Sequence, residues 1–176
     1  MNYKRCITIF FRNFAAIMTQ DKLWNSNYCK VMAANFALFF AFYVLTPLLP
    51  LYLSEHFGAT KDVIGLVLSG YTITALLFRP FSGFIVDSFS RKKVLMVCFA
   101  AFAIFFAGYL AASTLLLFTI VRTLHGGPFG ALTVANSTVA IDVLPSSRRN
   151  EGIGYYGLSN NIATAIAPTV GIFVLF

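Results

Sequence analysis

The chain has 176 residues, of which 59% are hydrophobic and only 11% charged, with a mean hydropathy of +0.79. A water-soluble domain carries roughly 25% charged residues, so this composition excludes an ordinary soluble protein and points to the membrane. The formal charge of +7 would fit a nucleic-acid partner, but the bases stand at the ends of apolar runs. There they act as topology signals and as contacts for anionic lipid headgroups, and no nucleic-acid partner is expected.

Residues 1–30 are predicted as a cytoplasmic amino-terminal segment, with Lys4, Arg5, Arg12, Lys22 and Lys30 against Asp21 alone. The apolar patch at 6–11 is far shorter than the ~20 residues a span needs. No small-x-small cleavage site follows it, so it does not read as a signal peptide. Translation from Met18, with residues 1–17 as an upstream extension, is the alternative to a start at Met1.

Five apolar segments follow, at about 31–53, 63–86, 94–112, 115–143 and 152–176, which together predict an all-α integral membrane protein. The first is uncharged, holds Asn35, and carries Pro47 and Pro50 near its outer end, where they are expected to bend it or loosen its last turn. Residues 54–62 read as an outside loop with Glu55, His56, Lys61 and Asp62. The second segment contains Arg79 directly before Pro80. Between the second and third stands the cluster Arg91, Lys92 and Lys93, in a tight hairpin. The fourth contains Arg122 and His125, and the loop at 145–151 holds Arg148 and Arg149. The fifth is apolar up to Phe176. Nearly all bases fall on one side, Lys61 on the other, which puts the amino terminus in the cytoplasm.

Three motifs carry a family resemblance. Gly83-x-x-x-Asp87-x-x-x-Arg91-Lys92 resembles the signature loop between helices two and three of the major facilitator superfamily of secondary transporters, with Ser88 and Ser90 departing from it. Arg122-x-x-x-Gly126-x-x-x-Gly130 resembles the family's fourth-helix motif, whose arginine is associated with proton coupling and whose glycines are associated with close packing. Ala163-x-x-x-Ala167-Pro168-x-x-Gly171 is similar to the fifth-helix motif of antiporter branches, with Ala167 and Ile172 in place of glycines, and leans the direction towards efflux.

The resemblance implies twelve helices in two halves, with the substrate cavity between the halves and movement coupled to protons. It also implies that Asp87 pairs with bases, Arg91 and Arg122 being the partners in reach. The chain then reads as a truncated amino-terminal five-helix portion in the bacterial cytoplasmic (inner) membrane. It would need the carboxy-terminal half or a complementary chain to enclose a small-molecule substrate. The alternative is a non-transporting membrane fragment or helper that acts through helix–helix contacts.

The residues themselves support part of this. An arginine at the centre of a span costs about 2.5–3.5 kcal/mol on insertion scales, and Arg122 lies too deep to be a cap. Arg79 is a further candidate for proton coupling or substrate binding, nearer the cytoplasmic end, where a long side chain can instead snorkel. His125, one turn from Arg122, is a candidate proton relay because its charge switches near neutral pH. Small residues four apart let helices approach closely, and Pro168 opens a helix ladder. Asn160 and Asn161 are expected to face protein or a central cavity.

Enzymatic chemistry has no visible apparatus. Gly152-Ile-Gly-Tyr-Tyr-Gly157 fits a dinucleotide fingerprint by letter, but no strand precedes it. His125-Gly-Gly-Pro128 lacks a nucleophile turn to serve. Asn136-Ser-Thr138 fits a glycosylation pattern inside a span. Cys6, Cys29 and Cys98 show neither CxxC nor metal-ligand spacing. No cofactor, metal or catalytic residue is expected.

Overall fold

The polar backbone of an apolar run in lipid must satisfy its own hydrogen bonds, so runs of this kind fold as helices. The computed structural model describes residues 22–175; the start at Met1 or Met18, the 6–11 patch and Asp21 lie outside those residues. Among the described residues, five helices are long and apolar enough to cross a membrane: α1 (Ser26–Phe57), α2 (Lys61–Ser88), α3 (Arg91–Ala111), α4 (Leu115–Val143) and α5 (Arg149–Leu175). Even α3, with 21 residues, reaches about 31 Å at 1.5 Å per residue.

The helix ends differ from the predicted ones for local reasons. Asn25 caps α1, its Oδ1 accepting from the Tyr28 N–H at 2.8 Å, so the helix begins ahead of the apolar run. Pro47 and Pro50 lie inside α1 without ending it. The helix stops at Gly58, whose φ of 62° is the left-handed conformation that favours glycine. The Ala59 N–H then closes onto the Leu53 carbonyl at 3.1 Å. The predicted 54–62 loop is therefore mostly helix, and only 58–60 connect α1 to α2.

The hairpin between α2 and α3 is likewise only Phe89 and Ser90, with Arg91, Lys92 and Lys93 forming the first turn of α3. A basic first turn opposes the helix dipole, and the carboxylates of Asp87 and Asp142 offset it there. The predicted 145–151 loop is a 3-10 turn (Ser146–Arg148) running into α5. Arg148 clamps Glu151 across that start, donating from Nε and Nη2 at 2.9 and 2.8 Å.

Helix α4 is the centre of the bundle: it packs on α2, α3, α1 and α5, while α1 lies along α5. Glycine makes the closest of these approaches possible. A Cβ on Gly126 would overlap the Tyr71 carbonyl of α2, and one on Gly130 would overlap the Ala75 carbonyl. Gly171 of α5 lies against the Val44 backbone of α1 in the same way. Ala163 and Ala167 are fully buried on α5, which stays helical through Pro168. Between α1, α2, α3 and α4 sits an aromatic and aliphatic core of Leu38, Tyr71, Ala75, Phe102, Phe129 and Leu132.

Candidate functional site

The residues singled out from sequence fall into two separate places. At the end of the bundle bearing the α2–α3 hairpin, Arg91 contacts Asp142 in the last turn of α4 and lies 3.8 Å from Asp87 in the last turn of α2. One arginine thus ties three helix ends together. All three side chains are well exposed (41%, 39% and 74%), so each pair contributes little on its own. Lys92 is exposed beside them, and Gly83 has open space where a Cβ would stand.

The implied Asp87–Arg122 pair is not made. Arg122 lies twenty residues before Asp142 along α4, about 30 Å at 1.5 Å per residue, and so near the opposite end of the bundle. Asp142, the partner that Arg91 does find, was passed over in the sequence. Its signal was available: it is an acid at the end of a long apolar run.

The second place is inside the bundle. Arg122 of α4 is only 3% exposed and His125, one turn on, is fully buried. Tyr109 of α3 joins them: Arg122 Nη1–H donates to its hydroxyl at 3.0 Å, and the hydroxyl lies 2.7 Å from His125 Nδ1. Because Arg122 already donates to this oxygen, the hydroxyl's own hydrogen is left for Nδ1. In the tautomer that uses this hydrogen, His125 accepts at Nδ1 and carries its proton at Nε2.

Aromatic faces complete the surroundings. The guanidinium carbon sits 4.0 Å from the Tyr71 ring centroid, a cation–π contact worth about 2 kcal/mol when desolvated. The His125 ring packs among Tyr71, Phe102, Phe105, Phe106 and Tyr109. Arg79, by contrast, is exposed on α2 and makes no ion pair among the described residues. Tyr109 and Tyr71 carry the geometry but were not found from sequence, where a tyrosine in an apolar run looks like ordinary aromatic bulk.

A separate buried polar network ties α1, α4 and α5 together. Asn136 Nδ2 donates to Asn35 Oδ1 (3.1 Å) and to the Tyr156 hydroxyl (3.0 Å), while Asn35 Nδ2 donates to Ser159 Oγ (2.8 Å). Asn136, which by sequence matched a glycosylation pattern, is fully buried. Asn160 is half-buried and Asn161 exposed. Towards the 58–60 end, a cleft of about 390 Å³ opens beside Tyr109, lined also by Leu45, Leu49, Tyr52, Glu55 and Phe118.

Comparison with known proteins bears on the chain as a whole. The sequence profile of the Major Facilitator Superfamily matches residues 31–176. The chain is 31% identical to the staphylopine export protein of Staphylococcus aureus over 65% of its own length and 29% of the relative's. It is 25% identical to the staphyloferrin B transporter of Staphylococcus aureus over 88% of its length and 38% of the relative's. With the quinolone resistance protein NorA of Staphylococcus aureus it shares 22% identity over 79% of its length and 36% of the relative's. The chain thus spans about a third of the length of the curated relatives it matches.

Proposed function

The chain belongs to the major facilitator superfamily, and from that premise we propose that it supplies the amino-terminal portion of a proton-coupled transporter exporting a small solute. The observation that carries this reading is Arg122, held at 3% exposure within a span, where an ionisable group is expensive and so marks an ion or substrate pathway. The names of the relatives, which speak of export and of drug resistance, favour the outward direction. The arginine and lysine bias supports a cytoplasmic membrane location with the amino terminus on the cytoplasmic side.

Each motif then has a part. Arg122 takes the coupling or substrate role, with His125 as its neighbour through Tyr109. Gly126, Gly130, Ala167 and Gly171 let the helices close on one another, and Pro168 is available as a bending point in α5. Asp87, Arg91 and Lys92, together with Asp142, fasten the hairpin end in one conformation. Gly83, Gly154 and Gly157 have nothing within reach of a Cβ. Their small, unpartnered faces on α2 and α5 suit close packing by further helices, such as those of a second half.

Everted membrane vesicles carrying the transporter that contains this chain test the coupling. After acidification of the lumen, a quinolone, staphylopine and staphyloferrin B serve as trial solutes, chosen from the relatives' names. Discharge of the pH gradient by one of them, dependent on the protein, is the expected result. A gradient that responds identically with and without the protein would favour a helper acting only through helix contacts.

A further inference from the structure

The polar atoms left over around Arg122 can all donate. Arg122 Nε–H, His125 Nε2–H and the Tyr71 hydroxyl are buried without a hydrogen-bond partner among the described residues. They belong to one cluster: the guanidinium lies 4.0 Å over the Tyr71 ring, and that ring meets the His125 ring edge-on at 5.7 Å between centroids. Buried donors left unmade are destabilising, and a buried charge without a counter-charge more so. Among the described residues, the carboxylates that might neutralise it, Glu55, Asp62, Asp87, Asp142 and Glu151, all stand within two residues of a helix end. None is within ion-pair distance of Arg122.

Water would satisfy the donors but would leave the charge. An oxyanion satisfies both. We propose that Arg122, His125 and Tyr71 form a binding site for a carboxylate, brought either by the transported solute or by an acidic side chain of a helix beyond this chain. The planar guanidinium suits the two oxygens of a carboxylate, and the imidazole N–H and phenol supply further donors. Tyr109 is the positioning residue, because its hydroxyl occupies Nδ1 and so keeps the His125 proton at Nε2. A cationic group finds no unpaired acceptor here except the phenol oxygen.

This deepens the transport reading and rests on it for the solute, but its test needs no transport. The chain is placed in lipid nanodiscs with ¹⁵N-labelled arginine and histidine and titrated with citrate. The neutral triamide of citrate is the control, and a single-span peptide bearing one central Glu, or Gln in its place, supplies the other source. Saturable shifts of the Arg122 Nε and His125 Nε2 signals with citrate identify a solute carboxylate. Shifts with the Glu peptide but not the Gln peptide, and none with citrate, identify a protein carboxylate.

Arg122→Gln should abolish either response, and Tyr71→Phe should weaken it about tenfold while leaving the fold in place. Tyr109→Phe should change the balance of the His125 Nδ1 and Nε2 shifts even without ligand, which loss of packing alone would not do. No saturable shift with either source, or an equal shift with the triamide, would overturn the proposal. The pH-gradient experiment would stand unaffected by that failure, and the binding result by a failure there.

Discussion

Helices α3 and α4 lie side by side and invert the rule that serves for soluble proteins. The most apolar window of α3 has a mean hydropathy of 2.4, yet only 6% of it is buried. That of α4 has a mean hydropathy of 1.3, yet 44% of it is buried. In water the more apolar helix would be the inner one. In lipid the hydrophobic drive to associate is gone, so the centre goes to the helix whose small residues allow close backbone approach and whose polar groups seek partners. Gly126, Gly130, Arg122, His125 and Asn136 all belong to α4, whereas α3 turns Ile104 and Leu110 outward.

Substitutions graded along this contrast would break or sharpen it. The largest effect should come from Gly130→Leu, which drives a side chain into the α2 backbone. About 3 kcal/mol or more of stability should go, read by SDS-induced unfolding followed by circular dichroism, and wild-type stability would mean that α2 and α4 do not meet there. Asn136→Leu should cost about 1 kcal/mol by the same assay, in line with hydrogen bonds between membrane helices. Combined with Asn35→Leu it should be less than additive, since the two side chains share a bond.

Asp142→Asn should cost less than about 1 kcal/mol, and added salt should reduce the difference from wild type; an effect untouched by salt would point to packing instead. Leu110→Ala on α3 should be the smallest. This side chain is 92% exposed, and a change within about 0.5 kcal/mol is expected. A loss as large as that of Gly130→Leu would place α3, not α4, in the core.

Much of this was legible in the sequence because bilayers impose simple constraints. Hydropathy located the five spans, the placement of bases separated the two ends, and Arg122 with Gly126 and Gly130 marked the packed face of α4. What was not legible has a common physical cause. When both lipid and core are apolar, periodicity no longer says which face is buried, so the tyrosines at 71 and 109 could not be told from lipid-facing aromatics. The end of α1 lies beyond the predicted 53 because residues 54–57, which read as loop, continue the helix to Gly58, whose left-handed backbone is the actual stop. Asp87 was offered Arg122 as a partner because a motif carries no distance along the helix axis; about 30 Å of α4 separates the two ends.

The most direct test compares the two intramembrane arginines, one buried in α4 and one exposed on α2, in gradient-driven transport by the transporter that contains this chain. Arg122→Ala should abolish transport while membrane insertion, followed by surface labelling and expression level, stays at wild type. Arg79→Ala should retain most of it. Transport by Arg122→Ala at the wild-type rate, in protein inserted as well as wild type, would contradict the account and reduce the buried arginine to packing.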